Sequence, residues 1–554
     1  MEGNNFYSKI FFAIIAVSLV LSLWGIASDL AYSRVPTEIE QVRFAVKYGS
    51  GDFNPRIFYH PPVFSYLLFF VYVGVFVAGR IFSVFASVSG YEIFYFTRTW
   101  FFYLLARFAV LSLSALTLCV FYKTASDIYG RRKALLSVLF LGLVPVFIKW
   151  SHYASTDIPA MFLSVAAFYF IFNVYRRGAW ADYILSGALI GLAIAAKYHA
   201  ALLVLPFLAA CFFRRSGFVR MASGLACVFA GFFAGCPYAF LDHKAFLGGI
   251  FELSRRLSAE YYQFASWKID KPGFIYVFTD TLPFAVGVPL SVLMMAGIVY
   301  AFFRRRKEDI LQVIFIMALF FIVARGSVIK PRYFLPALPF MMLLAAGFLD
   351  DFIEKLSFVK RKGLILFLLA VLFVAPSAYA SIRFDALLNK KPISIQCKEW
   401  VEANIASGSA TAMQAGVPLN PDGVSMQRKL AEIQKKNIGP GAELKKLIEH
   451  AKVFKKAYDI YELPFPWRED FDESDFDFPA HVKSGVRYFI FTDEMDEYTA
   501  APQKYPVQAK YYNLVAANSD LIREFSEEVP PIEPGCHKKG YIKIYRLKKE
   551  YRVR

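Results

Sequence analysis

Apolar and polar positions divide the chain into two parts. Apolar runs of membrane-spanning length recur from residue 10 to about residue 381, and mixed, charged sequence follows. With ~17–25 residues per span, the pattern predicts about eleven transmembrane helices. They are 10–28, 102–122, 134–149, 158–175, 183–196, 198–213, 218–239, 277–303, 310–325, 333–350 and 364–381. The chain is therefore predicted to have a polytopic all-α membrane domain over 1–385 and a small soluble domain over 390–554.

Two apolar segments need separate treatment. The run 10–28 is too long for a simple secretory signal and has no clear small-residue cleavage site, so we interpret it as a retained signal-anchor helix. The segment 63–90 carries Arg80 and would break the alternation of sides if it crossed once. We interpret it as an interfacial or re-entrant helix on the outer face, or as a pair of short crossings.

Basic clusters in the short loops set the orientation. With the spans above, every cluster falls on the same side, which the positive-inside rule assigns to the cytoplasm. The clusters are Lys123 with Arg131, Arg132 and Lys133; Arg176 and Arg177; Arg214, Arg215 and Arg220; Arg304 to Lys307; and Lys355 with Lys360, Arg361 and Lys362. We expect a multi-pass protein of the plasma (inner) membrane, with a cytoplasmic N-terminus and an extracytoplasmic C-terminal domain.

Composition agrees with a membrane protein. Of the 554 residues, 57% are hydrophobic and 18% aromatic. The net charge of +18 follows from the loop clusters and comes with no nucleic-acid-binding motif, so nucleic acid is not an expected partner. Four of the six cysteines lie in apolar helices. Cys397 and Cys536 could pair in an extracytoplasmic domain, although two cysteines are a weak signal.

The soluble part shows mixed secondary-structure signals. Residues 397–405 and 441–457 have helical patterns, 486–491 is typical of a buried strand, and 541–545 alternates like a half-exposed strand. A small α/β or α+β domain is the expected result.

Unusual polar residues of the membrane domain fall in the predicted outer loops. Glu38 begins a helical pattern, either as an acid favoured by the helix dipole or as a catalytic base facing the bilayer surface. Asp157 either caps the next helix or faces a cavity, and His152 and Tyr153 just before it favour a site. Lys197, followed by Tyr198, either extends to the headgroups or binds a lipid-linked phosphate.

Further cations support phosphate binding. Lys330 and Arg332 lie in an outer loop, against the usual topology bias, and Tyr333 follows them. Arg107 lies inside an apolar span and needs a partner. The chain has no P-loop, dinucleotide fingerprint or clear His/Cys metal cluster. Carboxylates could hold a divalent cation, but no metal ligand is assigned.

The ordered set of motifs resembles the polytopic GT-C glycosyltransferases, specifically the branch of family 39 related to protein O-mannosyltransferases and lipid A aminoarabinose transferases. The matching segments are Gly51 to Pro55 running into Tyr59-His60-Pro61-Pro62, His152 to Pro159, and Pro331 to Pro339, with Ala196-Lys197-Tyr198 and Pro237-Tyr238 in order between them. The resemblance covers most of residues 1–381.

This resemblance implies inverting transfer of a sugar from a polyprenyl-phosphate carrier to a protein, lipid or glycan acceptor on the outer face. It also implies a carboxylate base in the first outer loop, where family members often have an Asp-Glu pair. The corresponding place here reads Thr37-Glu38. Either Glu38 serves alone, or Asp29 substitutes, or activity is lost. We favour Glu38, with Asp157 as a second acid and His60 among the binding residues.

Two other functions use the same residues. A transporter or flippase of lipid-linked sugars would bind the carrier without catalysis, and repeat symmetry with broken midplane helices would favour it. A non-catalytic membrane scaffold is the third possibility, since the Thr37 departure is compatible with lost activity.

Overall fold

The computed structural model describes residues 2–28, 30, 35–256, 271–357, 360–414, 416–435, 456–464, 472–528 and 539–551. Contacts divide it into two units. The first contains the described residues of 1–87 and 99–389, and the second those of 88–98, 390–530 and 537–554. The second unit thus contains most of the described chain from Lys390 onward, together with the short segment 88–98 that precedes Thr99.

Apolar helices build the first unit. They are α1 (Glu2–Leu23), α2 (Pro36–Lys47), α3 (Val63–Ile81), α5 (Thr99–Tyr129), α6 (Arg131–Gly142), α7 (Pro145–His152), α8 (Asp157–Arg176), α9 (Trp180–Ala196), α10 (Val204–Arg214), α11 (Phe218–Gly235), α12 (Tyr238–Leu241), α13 (His243–Arg256), α14 (Gly273–Tyr276), α15 (Leu282–Val286), α16 (Val288–Arg304), α17 (Lys307–Arg325), α18 (Leu338–Lys355) and α19 (Lys362–Leu388), with α4 (Val88–Thr97) in the second unit.

Each of the eleven predicted spans overlaps one or more of these helices, and the chain is an integral multi-pass membrane protein. Within the described residues, six stretches are long and apolar enough to cross a membrane, or eight if two bent helix pairs are counted. α9 is apolar but shorter. Two predicted spans are bent helix pairs: the chain bends by 61° between α6 and α7 in 134–149 and by 120° between α15 and α16 in 277–303. Gly287 makes the second bend possible, because its φ of 82° suits glycine.

The segment predicted as interfacial contains one regular helix. α3 has the length and composition of a span. Its Tyr72 hydroxyl donates to the carbonyl of Phe102 (3.0 Å), near the start of α5, and Ser65 at its first turn bonds the Tyr48 hydroxyl. Phe102 lies near the same end of α5 as Arg107, so α3 contacts the helical bundle at that end. The interfacial interpretation stays a prediction.

Glycines bring α9 and α11 into close contact. A Cβ on Gly191 would lie 2.2 Å from the Val228 carbonyl oxygen, and one on Gly231 would lie 2.3 Å from the Ala188 carbonyl oxygen. Membrane helices that lack bulky side chains at their crossing can approach backbone to backbone, and van der Waals packing then holds them together.

The basic loops meet at one end of the bundle, hereafter the basic end. Arg176 donates to the Asp127 carbonyl (2.9 Å), and Lys307 lies over the rings of Tyr175 and Phe213. Ion pairs join the remaining loops: Arg304 with Asp309 and Asp351, Lys133 with Asp351, and Arg132 with Asp350 and Glu354. The basic clusters therefore lie at one end of the bundle, which agrees with the prediction that they share one side of the membrane.

The second unit is built on a five-stranded mixed sheet. Its strands are β1 (Ala410–Gln414), β2 (Asp459–Leu463), β3 (Tyr488–Thr492), β4 (Ser519–Glu528) and β5 (Lys539–Leu547), in the order β2-β1-β3-β5-β4. β1 is parallel to β2 and β3, whereas β5 is antiparallel to β3 and β4. The helices are α20 (Ile393–Asn404), α21 (Gly423–Lys435), α22 (Phe478–Lys483), α23 (Glu494–Ala500) and α24 (Pro506–Asn518).

Three sequence predictions for this unit have a clear outcome. The helix near 397–405, the buried strand over 486–491 and the strand over 541–545 are confirmed. The helix predicted over 441–457 lies mostly outside the described residues. Cys397 is a buried free thiol, and its predicted partner Cys536 also lies outside the described residues.

Candidate active site

Glu38 and Arg107 form a fully buried ion pair. Arg107 donates from Nε to Oε1 (2.8 Å) and from Nη2 to Oε2 (2.7 Å) of Glu38. The Ala154 amide donates a third hydrogen bond to Oε1 (2.9 Å). The two side chains are 1% and 0% exposed. Arg107 thus has the partner that its place in a span required, and Glu38 is held from both sides by α5 and the segment before α8.

Arg107 also holds the chain before the first predicted outer loop. Its Nη1 donates to the carbonyls of Ile26 (2.9 Å) and Ser28 (2.5 Å), and its guanidinium lies 5.2 Å from the Tyr153 ring centre. Asp29, which follows Ser28 directly, lies outside the described residues. One guanidinium therefore ties α2, the end of the first apolar segment and Tyr153 together.

Asp157 is the centre of a second charged cluster. It is the first residue of α8, and no side chain caps that helix, so the capping interpretation is not supported. The Lys197 ammonium bonds its carboxylate, the Ser155 hydroxyl donates to Oδ2 (3.0 Å), and Arg332 Nη1 lies 4.0 Å from Oδ2. Three distant parts of the chain meet here.

Local backbone structure brings the cations to Asp157. α9 ends at Ala196, and Lys197 has an extended backbone (φ −160°, ψ 121°) before a 3-10 turn over Tyr198–Leu203. Arg332 lies in a second 3-10 turn, Pro331–Phe334, that precedes α18. Lys197 lies over the ring of Tyr333. Lys197 thus follows the end of α9, Arg332 precedes the start of α18, and both cations reach Asp157 from these turns.

A cavity of about 150 Å³ adjoins this cluster, enough for about five waters. It is lined by Lys149, Lys330 and Arg332 together with apolar residues of four segments: Pro145, Val146, Trp150, Phe284, Ala285, Pro331, Ala380 and Phe384. Arg332 lies 4.7 Å over Trp150, and Lys149 lies near the rings of Trp150 and Phe384. Three cations around a small cavity favour a compact anion.

His152 has a different place from the one predicted. Its ring is fully buried, with Nδ1 2.8 Å from the Ile148 carbonyl and Nε2 3.1 Å from the Trp24 carbonyl. Asp385 of α19 lies 3.5 Å from Nε2. The prediction that His152 binds substrate conflicts with this geometry, because the ring is fully buried and both nitrogens face carbonyl oxygens of the protein.

Two other predicted binding residues have internal contacts. The Tyr198 hydroxyl donates to the Phe58 carbonyl (2.5 Å). His60 lies 3.6 Å from the Glu40 carboxylate, and the two side chains are each 27% exposed. Tyr198 therefore joins the loop before α3 to the turn after α9, whereas His60 stays partly accessible.

The Gly51-to-Pro55 motif forms a turn. The Asn54 amide N–H donates to Asp52 (3.0 Å), and the Asn54 side chain donates to Asp242 (2.7 Å). These contacts place the motif against the loop after α12. The Asn54 amide and the Arg56 guanidinium hold the pKa of Asp52 below its usual value. Asp52 is therefore a turn-forming residue.

Sequence reasoning missed Lys149, which lines the cavity. Lys149 ended a predicted span, and a cation at that depth was a usable signal. No group of three His, Cys, Asp or Glu side chains in the described part of the chain is arranged to hold a metal ion.

Comparisons with known proteins give a family match over part of the chain and a similar fold. The family model described as "Dolichyl-phosphate-mannose-protein mannosyltransferase" matches residues 91–237. The oligosaccharyltransferase of Archaeoglobus fulgidus, solved with a tethered acceptor peptide, is 12% identical with a TM-score of 0.51, over 97% of this chain and 74% of that one. ArnT from Cupriavidus metallidurans, bound to undecaprenyl phosphate, is 13% identical with a TM-score of 0.47, over 96% of this chain and 97% of that one.

No curated protein sequence matches the chain. At 12% identity and a TM-score of 0.51, the likeness to the oligosaccharyltransferase shows a similar fold and nothing finer. The protein is accordingly a multi-pass membrane protein with the fold of the GT-C glycosyltransferases, and its residues 91–237 match the dolichyl-phosphate-mannose-protein mannosyltransferase family.

Proposed function

We propose that the protein transfers a sugar from a polyprenyl-phosphate carrier to an acceptor at the end of the bundle opposite the basic end. The observation that carries this proposal is the Asp157–Lys197–Arg332 cluster beside a cation-lined cavity. α8 runs about 30 Å from Asp157 to Arg176 at the basic end. By the positive-inside rule the basic end is cytoplasmic and the cluster faces outward, and the C-terminal domain is extracytoplasmic.

The cavity is suited to the carrier phosphate. Lys149, Lys330 and Arg332 supply positive charge in surroundings with little water, where a phosphate interacts strongly with them. Arg332 can offer two parallel N–H groups to phosphate oxygens, whereas a lysine acts as a point charge. The family match supports the same class of donor, since its description names dolichyl phosphate mannose.

Transfer then needs a base and a stabilised leaving group. The acceptor oxygen forms a bond to the anomeric carbon, the bond between that carbon and the phosphate oxygen breaks, and its electron pair stays on the carrier phosphate. Lys197 and Arg332 neutralise the charge that develops there. A phosphate beside Arg332 competes with Asp157 for the same cations, which frees the carboxylate to accept the acceptor proton. A single displacement inverts the anomeric centre.

Glu38 has a positioning role in this proposal. Its carboxylate accepts two hydrogen bonds from Arg107 and one from the Ala154 amide, and Arg107 does not line the cavity. Asp157 is buried as well, but its partner Arg332 lines the cavity, so a bound phosphate can draw that cation away. Asp157 is thus the preferred base, and Asp29 is the first-loop alternative.

The test uses full-length protein in liposomes. Radiolabelled polyprenyl-phosphate sugars are incubated with it and membrane extract, and the transferred label is measured. We expect the wild-type protein to transfer sugar from at least one donor. Asp157→Asn should lower the transfer rate more than 100-fold, and Arg332→Gln should raise the donor concentration needed to saturate transfer. Arg306→Gln, at the basic end, is the matched control and should leave transfer unchanged. Full activity of Asp157→Asn would remove Asp157 as the base, and no transfer from any donor would refute the function.

A further inference from the structure

We propose that His152 and Asp385 share one proton in the folded protein, and that this pair positions two walls of the cation-lined cavity. The second half of the inference rests on the proposed function, because it takes the carrier phosphate as the occupant of the cavity. Both side chains lie beyond the predicted spans 134–149 and 364–381, and the mechanism above uses neither of them.

Asp385 is a fully buried carboxyl group. Its side chain is 0% exposed, and neither of its oxygens has a hydrogen-bond partner among the described residues. The imidazole of His152 lies close to it, with Nε2 3.5 Å from Oδ1. A buried carboxylate is costly unless it is paired or protonated. Asp385 is therefore expected to hold a proton or to face a positively charged His152.

The contacts of His152 require the same proton. Its Nδ1 lies 2.8 Å from the Ile148 carbonyl oxygen, and its Nε2 lies 3.1 Å from the Trp24 carbonyl oxygen. A neutral imidazole has one N–H and can donate to only one of these acceptors, whereas an imidazolium donates to both. If the ring is neutral instead, its Nε2 can accept the O–H of a protonated Asp385. Both arrangements contain one proton more than a neutral histidine with an ionised aspartate, and both give a pair without net charge.

The elements that pack around this pair carry other charged groups. On α5, Arg107 is paired with Glu38 and bonds the segment that follows α1. On α7, Lys149 lies three residues before the histidine, and on α19 the exposed Arg383 lies two residues before the aspartate. Nearby cations disfavour an imidazolium that has no carboxylate beside it, so the proton belongs to the pair and not to the histidine alone.

The pair joins α7 and α19, which form two walls of the cavity. α7 contributes Lys149 and Trp150 to the lining, and α19 contributes Ala380 and Phe384. The ring centre of Phe384 is 6.0 Å from that of His152, and the Lys149 ammonium lies 5.9 Å from the same phenyl ring. Contact between the histidine of α7 and the aspartate of α19 thus fixes the Phe384 wall relative to the wall that carries Lys149.

The shared proton predicts how stability depends on pH. In an unfolded chain a histidine has a pKa of about 6.5 and an aspartate of about 3.9, so neither holds this proton at pH 8. The folded state then binds one proton more than the unfolded state, and stability falls as pH rises above about 7. Urea unfolding of the full-length protein in detergent measures this. Per pH unit, we expect the unfolding constant of the wild type to rise about tenfold more than that of Asp385→Asn.

Binding of radiolabelled bare undecaprenyl phosphate tests the positioning role. Asp385→Ala removes the link between the two helices and should weaken binding about tenfold. Asp385→Asn should restore the affinity, because its amide can donate to a neutral His152 ring without an additional proton. Asp127, an exposed acid that pairs with Lys123 at the basic end, gives the matched controls. Asp127→Asn should keep the wild-type pH dependence, and Asp127→Ala should keep the wild-type affinity.

Each half of the inference has its own refuting result. Equal pH dependence in the wild type and Asp385→Asn would rule out the shared proton. Wild-type affinity of Asp385→Ala, or an affinity of Asp385→Asn as low as that of Asp385→Ala, would rule out the positioning role. If Asp385→Ala does not fold, the pH dependence of Asp385→Asn still decides the first half. Wild-type protein that binds no undecaprenyl phosphate would refute the proposed function and the positioning role together, whereas the pH measurement tests the shared proton independently.

Discussion

Replacing Glu38 with glutamine tests whether this side chain is a base or a structural partner of Arg107. The substitution keeps the size of the side chain but removes its charge. Arg107 would remain 1% exposed, with a neutral amide in place of the carboxylate that accepts two of its hydrogen bonds. It would keep its bonds to the carbonyls of Ile26 and Ser28, which carry no compensating charge.

The expected cost is large because one charge stays buried. Removing one member of a buried ion pair typically costs about 3–5 kcal/mol, which is roughly a 150- to 5,000-fold change in the unfolding equilibrium. Glu40→Gln, two residues along the same helix, is the matched control. Glu40 is 27% exposed and pairs with His60, so its replacement should cost less than about 1 kcal/mol.

The assay measures thermal unfolding in detergent and sugar transfer on the same samples. We expect Glu38→Gln to unfold at a clearly lower temperature than Glu40→Gln. We also expect it to lose transfer in proportion to its folded fraction. An unchanged melting temperature with complete loss of transfer would refute this reasoning and return Glu38 to the role of catalytic base.

Three further predictions follow from separate parts of the protein. Gly191→Ala should destabilise the membrane unit by about 1–3 kcal/mol, because its Cβ would meet a backbone carbonyl of α11, whereas Gly74→Ala, with open space around it, should be neutral or stabilising in thermal unfolding. Arg332→Gln should lower retention of undecaprenyl phosphate in detergent binding assays, and retention at the wild-type level would contradict the phosphate site. Burial lowers the pKa of His481 to about 4 from 6.5. The unfolded state thus binds the proton more tightly, so stability should fall as pH drops from 6.5 to 4, by roughly 3 kcal/mol in all. Hydrogen exchange in the sheet unit should show this loss, and His481→Gln should remove it.

Sequence periodicity and loop charge predicted the parts of the fold that depend on local composition. Apolar runs must form helices in a bilayer because their backbone groups have no water to bond, and the loop cations gather at one end for the same reason that they define topology. The bend at Gly287 was missed because apolar residues continue through it, although Gly287 and Pro289 are residues that commonly end one helix and begin another.

The candidate site, too, could be predicted from the sequence only in part. The sequence by itself determined which charges were out of place: Arg107 within a span, and Lys197, Lys330 and Arg332 away from the basic loops. Which charges neutralise each other was decided only by tertiary structure, because ion pairing depends on distances between helices that are far apart in sequence. Glu38 pairs with Arg107, and Asp157 with Lys197. On this pairing we base the proposal that Asp157 reacts and that Glu38 holds the chain in place.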